Sequence, residues 1–255
     1  MLHLRRMHVV NEQYGERAGT AIQQSVQMTI NVLPPSNGTS LPQGQVIENS
    51  IRALSTKEFL DWMQEQVQPC LLNHLDRASK VRKVLQGLLE VVMNPERRNE
   101  DPDAFNFASS DVLVKMSDRI KDSYCEQILT DNKNVLFRLC EAAQKEVSKI
   151  LLIRTEQHAR SQLQDFTPIY HFVQSFIEES ESFTHRQCLN LRGTLSSEAK
   201  KFANSFHHTR MSTIALILDN ENWSQAKVAQ EFQDIIDSLF HVEKKPTHTT
   251  SSGVY

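Results

Sequence analysis

The chain has 255 residues, 23% of them charged, with a formal charge of −3 at neutral pH and an isoelectric point near 6.4. A chain of this length buries roughly 70–75% of its unfolded surface, so core size is not limiting, and one large domain or two smaller ones are both open. No global basic field exists to hold phosphate backbones, which argues against bulk nucleic-acid binding and leaves only a local basic patch. Seven glycines and eight prolines, several of them crowded between Pro34 and Gly44, leave the rest nearly free of helix breakers. That composition predicts an all-α protein. Cys70, Cys125, Cys140 and Cys188 are widely spaced, with no paired C-x-x-C. They fit neither a zinc site nor a small disulfide scaffold and read as reduced thiols.

The N-terminus MLHLRRMHVVNEQYG has no apolar core of signal-peptide length, and no segment offers about 18 uninterrupted apolar residues for a membrane span. The chain reads as soluble and unsecreted, so the sequon Asn37-Gly38-Thr39 reads as a turn. Residues 1–50 form a poorly defined N-terminal segment: the first 30 mix polar and apolar positions without a clean period, and residues 33–45 are a Pro/Gly-rich connector. From there to residue 242 the pattern is helical. Ser55 and Glu58 form a capping box before Phe59, Met63, Leu71, Leu75 and Leu85, a helix with a bend before Pro69 and an end near Asn94-Pro95. A polar loop follows, with Phe105 and Phe107 as anchors.

Asp111 is a plausible cap for Leu113, Met116, Ile120, Tyr124 and Ile128, and after TDNKN the stripe resumes at Leu136, Leu139, Ala143 and Val147. One interrupted helix or two short ones are expected. Thr167-Pro168 looks like the start of a long helix carrying Tyr170, Val173, Phe176, Phe183, Leu195, Phe202 and Phe206, with a bend at Gly193. Trp223 stands in a polar run between two helices. With Ser224 as N-cap, Trp223 and Val228 occupy the two positions of a hydrophobic staple, and the indole ring should be buried against Val228 and Phe232. The rival reading makes Trp223 an exposed anchor for a partner. Residues 243–255 read as a disordered polar tail. Together these elements predict an elongated bundle of long helices, with no repeat of fixed period.

Ten histidines invite a search for metal ligands, but neither H-E-x-x-H nor a helical E-x-x-H appears. Glu181 and His185 supply two ligands where a site needs three or four, and read as a surface pair. Adjacent helical side chains diverge by about 100°, so His207 and His208 cannot easily share one ion. Gly-rich phosphate cradles, G-x-S-x-G and a P-loop are absent. Cys140 and Cys188 read as small core residues, and the aromatic series from Phe166 to Phe206 reads as core packing in preference to a cofactor box. No catalytic, cofactor or metal residue is assigned.

Residues 200–239, KKFANSFHHTRMSTIALILDNENWSQAKVAQEFQDIIDSL, resemble the Vps fifty-four-type subunit of the Golgi-associated retrograde protein (GARP) complex. The marks are Phe202, Phe206 with His207, Arg210, the LDNENW turn and the closing EFQDIIDSL. Two positions depart from the family pattern: Ala229 stands where the family carries a proline, and Lys227 where it carries an acidic residue. With that proline the last helix would begin at about position 229, whereas the staple reading begins it at Ser224. The resemblance implies stacked helical bundles of the tethering-complex type and a non-enzymatic role in retrograde transport from endosomes to the trans-Golgi network. It implies other GARP subunits and SNARE proteins as partners, peripheral membrane association and no cofactor. Family subunits are much longer, with an N-terminal coiled coil, so this chain is expected to be a fragment, a partial gene product or a divergent short form. A generic helical scaffold, or a helical enzyme using the histidines, are the competing readings. Trp223, Val228, Phe232, Phe202 and Phe206 are the candidate structural or interaction residues.

Overall fold

The computed structural model describes residues 2–33, 43–93, 118–222 and 228–239. Among them every regular element is helical: α1 (Leu2–Asn31), α2 (Gln43–Ala53), α3 (Thr56–Trp62), α4 (Gln68–Met93), α5 (Asp118–Ile153), α6 (Thr155–Arg160), α7 (Leu163–Ser182), α8 (Leu189–Asp219) and α9 (Gln230–Leu239). The all-α reading holds. The chain divides into two compact units, residues 1–209 and 210–255.

In the first unit α5 is the spine, with α1, α2, α4 and α7 packed on it. The core joins Ile22 and Val26 of α1, Phe59 of α3, Leu71 and Leu75 of α4, Leu136 and Val147 of α5, Val173 and Phe176 of α7, and Leu191 of α8. The first 30 residues are therefore not poorly defined; they form a helix. Its inward stripe runs Asn11, Tyr14, Ala18, Ile22, Val26, Ile30, spaced by three or four, with a polar and a small residue diluting the hydrophobic signal. Gly15 belongs to the same contact, since a Cβ there would come within 3.2 Å of Val135 Cγ1. Its lack of a side chain lets α1 approach α5 closely.

The polar run TDNKN does not interrupt α5. Asn132 is buried and its Nδ2 donates to Asn11 Oδ1 at 3.3 Å, while Asn11 Nδ2 donates to the Ile128 carbonyl at 3.5 Å. A buried amide paired across the helix interface keeps the polar residue inside without breaking the ladder. The Ser55 capping box forms as expected: Glu58 N donates to Ser55 Oγ at 3.3 Å and Ser55 N to Glu58 Oε2 at 2.8 Å. The irregularity expected before Pro69 is a π-helical segment at Met63–Val67, the widened turn that accommodates a residue lacking an N–H.

In α7 and α8 two boundaries differ from the sequence reading. α7 starts at Leu163, so Pro168 lies inside the helix; Thr167 Oγ1 bonds back to the Leu163 carbonyl at 2.7 Å. The long helix breaks at residues 183–188 and not at Gly193, which lies within α8. His185 takes φ 55° there, the left-handed region open to few residues other than glycine. Glu181 secures the break: its carboxylate accepts from the Cys188 backbone N–H at 2.9 Å and from Arg192 Nε and Nη2 at 3.1 and 2.7 Å. A bidentate arginine contact fixes the next helix in register.

In the second unit, α9 begins at Gln230, and its first backbone acceptor is the Ala229 carbonyl. The start expected at Ser224 is thereby corrected, and Val228 precedes the helix and is not its fourth residue. Glu231 in the first turn complements the positive end of the helix dipole. The connector expected at 33–45 gives way to helix at Gln43, where α2 begins; residues 34–42, residues 94–117 with Phe105, Phe107 and Asp111, and residues 243–255 lie outside the described residues.

Candidate interaction surface

Glu198, His158 and Arg154, the buried ionisable side chains around α6, are committed to structure. Glu198 of α8, 2% exposed, accepts from Thr155 Oγ1 at 2.7 Å and lies 3.2 Å from His158 Nδ1. Burial alone would raise its pKa, but the hydrogen bonds from His158 and Thr155 outweigh that, and the net shift is downward. The His158 ring sits between Phe59 and Phe166, with centroids 5.7 and 6.5 Å away. Arg154, also buried, donates Nη1 to the Ile51 and Leu54 carbonyls at 2.7 and 2.8 Å and lies over the Phe59 ring at 4.6 Å. It closes the C-terminal end of α2, whose last carbonyls have no intrahelical donors.

Cys140 and Cys188 are fully buried, as expected of core thiols. Burial, together with neighbouring Glu181 and Glu141, pushes them up to about 12 and about 11. Such thiols are neutral and unreactive in water near pH 7. Glu181, read from sequence beside His185, is held instead by Arg192, and His185 is exposed. Among the described residues no group of three His, Cys, Asp or Glu is placed to hold a metal ion. The valley between α1 and α5 contains an open groove of about 520 Å³ lined by Gly15, Glu16, Gly19, Thr20, Gln23, Arg138, Leu139 and Ala142. It carries no convergent set of acid, base and nucleophile.

The candidate residues fall into two groups. Phe202 is buried in the first unit, stacked on Phe166 with centroids 4.3 Å apart and an interplanar angle of 8°; Phe206 continues the stack at 5.9 Å. These are packing residues. In the second unit, Val228 and Phe232 are 59% and 62% exposed. Trp223 lies outside the described residues, and the Val228 of its expected staple is outside the helix.

Sequence reasoning did not separate exposed from buried stripes, and there the structure adds most. Met211, Ile214, Leu216, Ile217 and Leu218 of α8 and Phe232, Ile235 and Ile236 of α9 are all about half exposed or more. Phe232, Ile235, Ile236 and Leu239 repeat at i, i+3, i+4 and i+7, the pattern of a helix made to lie against an apolar partner. An exposed apolar stripe of this kind marks an interaction surface more often than a solvated one. Among the described residues no helix is long and apolar enough to cross a membrane.

No family model matches the chain, and no solved structure matches it. Curated relatives do. Vacuolar protein sorting-associated protein 54, chloroplastic, of Arabidopsis thaliana is 39% identical over 132 residues, which is 52% of this chain and 13% of that protein. Its human namesake is 31% identical over 131 residues, 51% of this chain and 13% of that protein. That of Drosophila melanogaster is 22% identical over 186 residues, 73% of this chain and 18% of the relative. The chain therefore spans well under a fifth of the length of the curated relatives it matches. The resemblance to the Vps fifty-four type is shown: over about half of its own length this chain is similar to vacuolar protein sorting-associated protein 54 of plants and animals.

Proposed function

We propose that this chain is a non-enzymatic component of a multisubunit vesicle-tethering complex acting in retrograde transport from endosomes to the trans-Golgi network. Its partners are the other GARP subunits and SNARE proteins, and it associates peripherally with the cytoplasmic face of that membrane through the complex. The observation that carries the reading is the similarity to proteins named for vacuolar protein sorting. The exposed apolar residues of α8 and α9 support it, since a subunit must present a surface for its neighbours. Val228 and Phe232 are assigned to the same surface.

A tagged form of the chain, expressed with the remaining GARP subunits, tests the proposal by co-purification. Recovery of at least one subunit, weakened by Phe232→Asp, is the expected result. Trp223→Ala decides between the two readings of that residue: a stability loss on the order of 3 kcal/mol belongs to the staple, and recovery weakened by the equivalent of about 2 kcal/mol with the melting temperature spared belongs to the anchor. Recovery of no subunit by the wild-type chain rejects the assignment.

A further inference from the structure

Where α1 lies against α4, the solvent face is basic in a chain whose net charge is −3. The two helices run antiparallel: Ser25 Oγ and His74 Nε2 are 2.9 Å apart at one end, and Met7 and Leu85 pack on Leu89 at the other. On α4 the exposed residues Arg77, Lys80, Val81, Lys83 and Val84 fall, at about 100° per residue, in one arc of roughly 160° opposite buried Leu71, Leu75, Ala78 and Leu89. The α4 acid within that arc, Asp76, is bound to Lys80 at 2.6 Å. Arg82 falls outside the arc, and Glu90 lies about 20° beyond its Lys83 edge. On α1, exposed Arg6, Val10 and Arg17 lie about 60–100° round from Ser25, on the side away from α5. Glu12 and Glu16 line the opposite valley, against α5. The shared face therefore gathers Arg6, Arg17, Arg77, Lys80 and Lys83 with Asp76 among them. Glu126 of α5 lies past the Lys83 edge, on the side of α4 away from α1, and Glu179 of α7, bonded to Gln68 at 3.0 Å, is about 18 Å along α4 from Lys80. Between the bases Val10, Val81 and Val84 are 54%, 44% and 64% exposed.

We propose that this α1–α4 face lays the chain directly on an anionic lipid bilayer, its bases at the headgroups and its valines at the acyl boundary. This goes beyond membership of a complex, through which the membrane is met by way of other subunits. Five bases with one acid among them form a cluster of the size that binds phosphatidylserine-rich leaflets, and exposed aliphatic side chains add apolar contact to the attraction. Two other occupants fit less well. In the α4 arc Arg77 falls between Val84 and Val81, so charge interrupts the apolar residues instead of bordering them. Interleaving suits headgroups, whereas docking of an acidic amphipathic helix needs a continuous apolar stripe. A second copy in a two-fold interface would set base against base.

Co-sedimentation of the whole chain with vesicles tests this, so that residues 94–122, which add seven acids and five bases by sequence, are present. Phosphatidylcholine vesicles carrying about 30% phosphatidylserine should bind it at least tenfold more strongly than phosphatidylcholine alone at about 0.05 M salt. That difference should shrink toward about 0.5 M salt, as the Debye length shortens. Arg17→Gln with Arg77→Gln should lower binding at least tenfold, and Val81→Ser with Val84→Ser several-fold. Melting temperatures should hold, because all four side chains are exposed. Lys145→Gln with Lys200→Gln removes the same charge from exposed positions elsewhere and should bind like the wild type. An equal loss in that control pair overturns the proposal, since the attraction would then be global. Absence of phosphatidylserine-dependent binding overturns it too, as does capture of a glutamate-flanked amphipathic peptide in place of the vesicles. Co-purification with GARP subunits is a separate readout: it can succeed while the vesicles fail, and the reverse result leaves the lipid-binding face standing without the complex.

Discussion

Replacing Glu198 by alanine tests whether the buried polar clasp between α6 and α8 stabilises the first unit. The carboxylate is 2% exposed and takes hydrogen bonds from Thr155 Oγ1 and His158 Nδ1. Its removal strands both donors in the interior, beside a His158 Nε2 that already has no partner. Each stranded buried group costs about 1–3 kcal/mol, and breaking a buried pair from one side costs about 3–5 kcal/mol in total. At about 2–4 °C per kcal/mol for a chain of this size, the melting temperature should fall by roughly 6–20 °C. Urea denaturation followed by circular dichroism at neutral pH gives the free energy directly. Glu198→Gln, which keeps an acceptor for Thr155, should cost less than Glu198→Ala. Because the folded-state pKa of Glu198 lies below its ordinary value, its contribution is complete above the unfolded value of about 4.3 and is lost as pH falls through the lower folded value. Stability of Glu198→Gln should accordingly vary less with pH below about 4.3 than that of the wild type. A Glu198→Ala loss smaller than about 1 kcal/mol would refute the reasoning, because the donors would then have found other partners.

The two groups of candidate aromatics should separate cleanly. Phe202→Ala, which empties a stacked and buried site, should cost about 3–5 kcal/mol, whereas Phe232→Ala, exposed in this chain, should stay within about 0.5 kcal/mol in thermal melts. Ser55→Ala removes the N-cap acceptor of α3 and should cost about 1 kcal/mol by urea denaturation. Cys140 and Cys188 should resist a thiol reagent at pH 8 in the native protein and react on unfolding, since their native pKa values of about 12 and about 11 leave little thiolate; rapid native labelling of either would contradict their burial.

What the sequence by itself determined lies within a few residues of chain. The Ser55–Glu58 capping box, the disturbance before Pro69, the helical class and the core character of Phe176, Phe202, Cys140 and Cys188 follow from local spacing and composition, and the LDNENW and EFQDIIDSL marks carried the resemblance that the relatives uphold. Tertiary structure decided what depends on distant partners. α1 looked patternless because its inward stripe includes Asn11, whose mate Asn132 is 121 positions away. That same pair carries α5 through a run that locally resembles a break. The end of α7 was misplaced because a glycine is a visible signal, whereas the grip of Glu181 on Arg192 and the Cys188 amide becomes legible only once α8 has folded back. The start of α9 at Gln230 matched the position implied by the family's proline and not the staple spacing. Periodicity reports that a helix has an oily side and is silent on what meets it. Burial of Val173 and Phe176 and exposure of Phe232 and Ile236 are therefore facts of assembly, set by which neighbours the chain supplies.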